Sequence, residues 1–314
     1  MEQALRIVFA GTPDFAARPL SGLLARGWPP VAVYTQPDRP AGRGRQQNIS
    51  PVKQVALEAG LPVYQPQSLR DPEAVLELKA LQPDLLVVVA YGLILPPDIL
   101  AIPRLGCINV HASLLPRWRG TAPIQRAIQA GDTVSGVTLM LMEEGLDTGP
   151  MISTASTPIT EQTTGGELHD VLAQLGSDLL VQFLPQAESA SAAARPQPEE
   201  GVSYAAKLSK SEARLDWQQT AAHLARTIRA FNPWPVCWFD WQGQAIRVWA
   251  ASAAAGPEAT PGKVRQPTSE RVQIATAEGW LELLEIQPAG RKRMAVQDWL
   301  RGGGQHFADS GVLA

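Results

Sequence analysis

The sequence predicts an α/β fold: a doubly wound, mainly parallel sheet followed by a smaller β-barrel domain of the oligonucleotide-binding type (OB-like). In the first half, short runs rich in Val, Ile and Leu alternate with segments whose apolar residues recur every three or four positions. Continuous apolar runs are typical of strands buried on both faces, and their alternation with helices predicts a parallel sheet. In the last third, short strand patterns come in pairs joined at glycine-containing turns. That pattern predicts the barrel.

The first half of the chain contains five candidate strands, separated by helical patterns. The candidate strands are residues 6–10, 31–35, 85–90, 107–111 and 136–142. Several of the helical segments begin at Ser, Asp or Pro and end at Gly, as helix termini do. We expect the last helix of this half at about residues 165–185, again from its apolar period.

The last third contains four candidate strands. Residues 236–250 and residues 271–287 each have the pattern of two strands joined at a turn. Between them, residues 251–262 are rich in Ala, Gly and Pro. This composition predicts a long loop within the barrel.

The domain boundary is predicted from a change of composition. Residues 186–200 are rich in Ala, Ser, Pro and Glu, which is typical of a linker or an exposed crossing segment. The chain has 314 residues, and domains typically have about 100 to 200. We therefore expect a first domain at residues 1–189, a linker at residues 190–204 and a second domain at residues 205–314.

Charge and cysteine content limit the class of protein. Residues 1–204 carry 14 Lys/Arg and 20 Asp/Glu, whereas residues 205–314 carry 13 and 10. A basic second half favours binding to a polyanion, although an excess this small is also found on ordinary surfaces. The two cysteines and the lack of a signal-peptide pattern favour a reducing compartment. The longest apolar run, residues 85–95, is too short to span a bilayer. We expect a cytoplasmic protein.

Three polar side chains are expected to converge at the rim of the first sheet. Asn109 and His111 lie two positions apart on a predicted strand and therefore on the same side of it. Asp147 lies between glycines in "GLDTG", after another predicted strand. Asn can donate to a developing oxyanion, His can accept a proton, and Asp can orient the imidazole. Alternatively, His111 is a structural histidine at a strand end.

The same region offers no obvious nucleophile of its own. Ser113 is close to His111, but it precedes Leu-Leu-Pro, and we expect it to cap a turn or bind ligand. The substrate would then supply the nucleophile, which predicts direct group transfer without an acyl-enzyme.

A long basic connection follows the second predicted strand, at residues 35–53. It contains Arg39, Arg43, Arg45 and Lys53. Arginines on a long loop are suited to phosphate recognition, because the guanidinium forms paired hydrogen bonds. The alternative is a solvated, mobile loop.

Two common cofactors are not expected. The turn after the first strand reads "FAGTPDF", which has a single glycine in place of the GxGxxG pattern of NAD-binding proteins. The chain has four histidines and no HxxxH or CxxC spacing, which argues against a metal site.

The residues around the polar trio resemble a known family. "NVHASLLPRWRGTAPIQRAI" (109–128) together with "LDTGPM" (146–151) is similar to the folate-dependent formyltransferases. Further stretches resemble the members of this family that act on aminoacylated tRNA, and the resemblance covers nearly the whole chain. These stretches are "RIVFAGTPDFAA", "PDRPAGRGR", "AYGLILP", "YAAKLSKSEARLDW" and "IRAFNPWPVCWF".

The resemblance implies a reaction with two substrates. 10-Formyltetrahydrofolate donates a formyl group, and the α-amino group of initiator methionyl-tRNA accepts it for translation initiation. A Rossmann-like catalytic domain and a tRNA-binding second domain are implied, and we expect a monomer. The implied catalytic residues are Asn109, His111 and Asp147. The implied folate contacts are Ser113, Leu114, Leu115 and Pro116, with Tyr91, Gly92, Leu93 and Ile94 as the wall of the pterin pocket. The implied tRNA contacts are Arg39, Arg43, Arg45, Lys207 and Lys210.

Other readings remain open at this point. Formyltransferases that act on sugar nucleotides share the catalytic motif, but the basic "PDRPAGRGR" loop argues against them. The enzymes that act on glycinamide ribonucleotide are shorter than this chain, and a hydrolase of formyltetrahydrofolate is a further alternative. A nucleic-acid-binding protein with an inactive sheet domain is the alternative from a different class.

Overall fold

The structure is a computed structural model that describes residues 5–41 and 46–313. Within that part of the chain, no helix is long and apolar enough to cross a membrane. Packing of the chain divides it into two compact units. Unit 1 comprises residues 1–123, 134–157 and 169–205, and unit 2 comprises residues 124–133, 158–168 and 206–314. Whether residues 1–189 and 205–314 behave as separate domains stays a prediction.

The strands are numbered in chain order. They are β1 (Ile7–Gly11), β2 (Ala32–Tyr34), β3 (Arg39–Ala41), β4 (Gln46–Asn48), β5 (Val63–Tyr64), β6 (Leu85–Val89), β7 (Cys107–His111), β8 (Arg119–Gly120), β9 (Val134–Leu141), β10 (Met151–Pro158), β11 (Tyr204–Ala205), β12 (Cys237–Trp241), β13 (Gln244–Ala254), β14 (Val264–Thr268), β15 (Arg271–Ala275), β16 (Trp280–Gln287) and β17 (Met294–Ala295).

The α-helices are numbered in the same way. They are α1 (Asp14–Ala25), α2 (Pro51–Glu58), α3 (Pro72–Ala80), α4 (Pro97–Leu100), α5 (Pro123–Ala130), α6 (Gly165–Phe183), α7 (Ala187–Ala192), α8 (Ala221–Ala230) and α9 (Val296–Arg301). Three short 3₁₀-helices cover Leu184–Gln186, Lys210–Ala213 and Phe307–Ser310.

Unit 1 is built on a seven-stranded sheet in the order β10-β9-β7-β6-β1-β2-β5. The pairs β6·β7, β1·β6, β1·β2 and β2·β5 are parallel, whereas β9 is antiparallel to β7. All five residues of β1 and all five of β6 are buried, because helices cover both faces of a sheet of this kind. The expected mainly parallel sheet is confirmed.

Unit 2 contains a six-stranded sheet in the order β12-β13-β16-β15-β14, with β17 paired to β16. All of these pairs are antiparallel. This confirms the expected change from a parallel to an antiparallel domain. One detail was wrong: the predicted loop at residues 251–262 begins later, because β13 continues to Ala254. The composition of this stretch is typical of a loop, but the backbones of residues 251–254 pair with β16.

The connection between β2 and α2 is fixed at both of its ends. Ser50 caps α2 by accepting a hydrogen bond from the backbone N–H of Lys53, and its hydroxyl lies 2.7 Å from that of Thr35. Lys53 forms an ion pair with Asp38, and Gln65 donates to the other oxygen of the same carboxylate at 2.9 Å. Between these anchors, β3 and β4 form a short antiparallel pair.

The hydrogen bonds from Lys53 and Gln65 hold the pKa of Asp38 below its ordinary value. Because the folded-state pKa is lowered, this interaction stabilises the fold above the unfolded-state pKa and is lost as the pH falls through the folded-state value. We expect Lys53→Met to return the pKa of Asp38 towards its ordinary value in an NMR titration of the carboxyl carbon. Lys79→Met, at an exposed position on α3, is the control. An unchanged pKa in Lys53→Met would contradict the assigned cause.

Candidate functional site

Strand β7 carries Asn109 and His111 to the carboxyl end of the parallel part of the sheet. Alternation along the strand places both on one side, while Val110 points to the opposite side and is buried. His111 is the last residue of the strand and is 5% exposed. The two side chains therefore have the placement that the sequence predicted.

Asp147 reaches these residues by a route that the sequence did not indicate. Because β9 is antiparallel to β7, its end at Leu141 lies beside Ile108, at the start of β7. The hairpin loop between β9 and β10 then brings Asp147 back, with a φ of 53°. Gly149 is required there, since a Cβ atom on it would lie 1.9 Å from the carbonyl oxygen of Leu141. The predicted convergence occurs, but it depends on this loop and not on a shared strand end.

The Asp147 carboxylate lies among three groups. Asn109 Nδ2 donates to Oδ1 at 3.3 Å, and the backbone N–H of Gly120 donates to Oδ2 at 2.8 Å. His111 Nδ1 lies 3.6 Å from Oδ2. The trio of Asn109, His111 and Asp147 therefore lies close enough together to contact one small group.

The other imidazole nitrogen fixes the protonation pattern of His111. Nε2 lies 2.9 Å from the carbonyl oxygen of Trp118. A carbonyl oxygen only accepts hydrogen bonds, so Nε2 carries a proton in both the neutral and the charged ring. Nδ1 is therefore the nitrogen that faces Asp147.

The turn after β7 holds this arrangement in place. Ser113, which is 1% exposed, donates through Oγ to the carbonyl of Arg117 at 2.6 Å. Thr138 on β9 donates to the carbonyl of Ser113 and accepts from the N–H of Leu115. Of the two roles expected for Ser113, the structure shows the turn cap. Next to it, Leu115 and Pro116 are buried and Leu114 is partly exposed.

The side chains of residues 91–94, the predicted pterin wall, differ in their exposure. The Tyr91 side chain is buried in the core of unit 1, where burial raises the pKa of its hydroxyl. Its backbone carbonyl accepts hydrogen bonds from Thr12 and Gln36. Gly92 has a φ of 82°, Leu93 is partly exposed, and Ile94 is 73% exposed. Ile94 thus exposes an apolar side chain, whereas the Tyr91 ring is withdrawn into the core.

The predicted tRNA contacts are described only in part. Lys207 and Lys210 are exposed in unit 2. Arg39 begins β3, and its side chain is outside the description. Arg43 and Arg45 lie outside the described residues.

The structure adds Gln197, which no motif in the sequence indicates. It lies in the segment predicted to be a linker, yet its Nε2 donates to the carbonyls of Asp147 and Gly149 at 2.8 and 2.9 Å. Ser203 in the same segment accepts a hydrogen bond from the backbone N–H of Trp118 at 3.0 Å. The Pro, Gln and Glu composition of this segment does not predict these hydrogen bonds.

Thiol and metal chemistry are not supported by the described side chains. Burial raises the pKa of Cys107 and of Cys237 to about 12, so both remain as unreactive thiols. One group with ligand atoms of the kind that metals bind, Asp14, His169 and Asp170, comes within 4.8 Å. It shares no residue with the trio and is largely exposed, as many acidic groups on protein surfaces are.

Comparison with known proteins identifies the family. Residues 5–184 match the Formyl transferase family, and residues 207–304 match the Formyl transferase, C-terminal domain family. The chain is 55% identical to a protein named methionyl-tRNA formyltransferase from Chromohalobacter salexigens, over 98% of this chain and 97% of that protein.

Solved structures of low identity share the fold. The N-formyltransferase from Helicobacter canadensis, in complex with folinic acid and dTDP-3-aminofucose, is 17% identical, with a TM-score of 0.66 over 90% of this chain and 99% of that chain. HypX from Aquifex aeolicus, in complex with tetrahydrofolic acid, is 17% identical, with a TM-score of 0.62 over 95% of this chain and 47% of that chain. The two family matches together span most of the sequence, and the chain belongs to the formyl transferase family.

Proposed function

We propose that this protein transfers the formyl group of 10-formyltetrahydrofolate to the α-amino group of initiator methionyl-tRNA, giving N-formylmethionyl-tRNA. The observation that carries the proposal is the 55% identity to methionyl-tRNA formyltransferase over almost the full length of both chains. The polar trio supplies the chemistry that such a transfer needs. We further propose that the protein acts in the cytoplasm as a monomer.

The proposed reaction begins with the neutral amine attacking the formyl carbon. A C–N bond forms, and the carbonyl oxygen becomes an oxyanion. Asn109 Nδ2 and His111, either protonated or as a hydrogen-bond donor, are proposed to stabilise it. When the tetrahedral intermediate collapses, the bond between the formyl carbon and N10 of the folate breaks. The proton released by the amine passes to N10, and Asp147 and water assist this transfer.

The donor is proposed to bind at the carboxyl ends of the parallel strands, where ligands bind in open α/β sheets. Residues 113–116 would form one side and residues 91–94 the other. The positive φ of Gly92 and its lack of a Cβ support a close approach of the backbone to a ligand, and the exposed Ile94 side chain offers apolar contact to a flat ring.

The acceptor is proposed to be held by phosphate contacts. Lys207 and Lys210 are exposed cations in unit 2, and the C-terminal third carries more basic than acidic residues. The arginines of the connection after β2 would contact the acceptor end of the tRNA. These residues are Arg39, Arg43 and Arg45.

A direct assay tests the proposal. The protein is incubated with 10-formyltetrahydrofolate and, in parallel, with charged initiator tRNA, uncharged initiator tRNA or an amino-sugar nucleotide. We expect formyl transfer to the charged tRNA alone. Transfer to the sugar nucleotide would assign the protein to the other acceptor class, and no transfer to any acceptor would favour a binding-only protein.

Removing either proposed oxyanion donor should slow the reaction strongly. We expect Asn109→Ala and His111→Ala each to lower kcat by roughly 100-fold or more, since one such donor contributes about 3 to 4 kcal/mol. Circular dichroism and thermal melting check that the fold is intact. His306→Ala, at an exposed histidine, is the matched control and should leave kcat unchanged. A variant with the turnover of the wild type would remove its residue from the catalytic trio.

Phosphate contacts should make tRNA binding depend on salt. We expect the double variant Lys207→Gln/Lys210→Gln to bind tRNA more weakly and to reduce the slope of log K against log [salt] by about 2, or about 1 for each lost contact. Filter binding from 50 to 200 mM salt covers the useful range. Lys79→Gln is the control in unit 1. An unchanged slope in the double variant would place the contacts elsewhere.

A further inference from the structure

Residues 195–205, called the crossing segment, pair with other parts of unit 1 at both of their ends. At its start, Arg195 forms an antiparallel bridge with Met151, which directly follows the Asp147 loop. At its end, β11 pairs with β8. A segment expected to be a plain linker is therefore fixed at both ends to the parts of unit 1 that hold the site.

Both ends of the Gln197 side-chain amide form hydrogen bonds to other parts of unit 1. Its Nε2 donates to the carbonyls of Asp147 and Gly149. Its Oε1 accepts two hydrogen bonds from the guanidinium of Arg119, at 3.0 and 2.8 Å. A primary amide has two donor hydrogens and two acceptor lone pairs, so every capacity is filled. The reverse amide orientation would set NH₂ against a guanidinium and oxygen against two carbonyls, so only this one fits.

The loop that Gln197 holds needs an external support. Asp147 adopts a φ of 53°, in the left-handed region that residues other than glycine seldom adopt, although Asp tolerates it better than most. Residues 143–146, just before it, are exposed. The two hydrogen bonds from Gln197 are made to the backbone on either side of Thr148, which fixes the direction in which the Asp147 side chain leaves the loop.

The same crossing segment also fixes a donor to the Asp147 carboxylate. Ala205 of β11 lies opposite Gly120 in the pairing with β8. A Cβ atom on Gly120 would lie 2.8 Å from the carbonyl oxygen of Ala205, and the φ of Gly120 is 109°. This close approach directs the N–H of Gly120 towards Asp147 Oδ2. Both the backbone of Asp147 and one partner of its carboxylate are thus set by residues 195–205.

We propose that Gln197 is a positioning residue for the formyl transfer, acting through Asp147 by holding its loop against Arg119. This inference rests on the proposed function and deepens it. It assigns a role in the chemical step to a side chain whose amide is fully occupied by hydrogen bonds within the protein.

The test removes the two hydrogen-bond donors of Gln197 and keeps the size of its side chain. Gln197→Glu retains the acceptor for Arg119 but places a carboxylate against the two loop carbonyls. We expect kcat to fall roughly 10- to 100-fold, as is typical when a catalytic group is misplaced by about 1 Å, with little change in KM for either substrate. Gln197→Met, similar in size and uncharged, should show the same loss. Gln186→Glu makes the same chemical change at an exposed site and should match the wild type.

A double-mutant cycle separates positioning from a general structural effect. If Gln197 acts through Asp147, then Gln197→Glu should cost little further activity in an Asp147→Ala background, because residues that act as a unit are not additive. An equal fold-loss in both backgrounds, or wild-type kcat in Gln197→Glu and Gln197→Met, would overturn the inference.

A measurement without substrates keeps the inference distinct from the proposed function. Amide hydrogen exchange at residues 144–149 should be faster in Gln197→Glu and Gln197→Met than in the wild type and Gln186→Glu. If the wild type formylates no acceptor, the proposed function fails. Faster exchange in the variants would still show that Gln197 holds the Asp147 loop. If the wild type is active and exchange is unchanged in the variants, the positioning role of Gln197 fails and the proposed function stands.

Discussion

The arrangement of the site depends on keeping one partly buried carboxylate, that of Asp147, in a fixed place. A carboxylate withdrawn from water is costly unless donors face its oxygens. Here Asn109 faces one oxygen and the N–H of Gly120 the other, with His111 beside the second. These partners come from strands β7 and β8, so both strands and the loop must be placed together for the charge to be accommodated. The same set of contacts makes the site pre-organised.

The antiparallel direction of β9 explains why so much structure surrounds this carboxylate. A parallel strand would have delivered its own carboxyl end beside His111. Strand β9 instead ends near the start of β7, and a hairpin loop has to return the chain to the site. The return takes a left-handed backbone at Asp147, which Asp tolerates better than most residues, and a glycine at position 149. The crossing segment supplies the support that a strand end would otherwise have given.

The hydrophobic pattern of the sequence predicted where strands and helices lie. It did not predict features that depend on which strands pair and in which direction. The strand at residues 107–111 was placed with its observed limits because a short apolar run is bounded there by glycine and by the turn. The direction of β9 was not predictable, since a buried strand has the same pattern whichever way it runs. The Ala, Gly and Pro content of residues 251–262 predicts a loop, yet strand β16 pairs with residues 251–254. Gln197 left no signal because its acceptors are backbone carbonyls, which every residue possesses.

The two ring nitrogens of His111 face different partners. The carbonyl of Trp118 holds Nε2, and Trp118 itself is held in a left-handed conformation, with a φ of 63°. Its N–H donates to Ser203 of the crossing segment, so the ring is oriented from the side away from Asp147. Rotation of the imidazole is thereby restricted, and Nδ1 is held on the side of the Asp147 carboxylate, 3.6 Å from Oδ2. In this arrangement Asp147 faces Nδ1, while the turn after β7 sets the direction of the ring through Nε2.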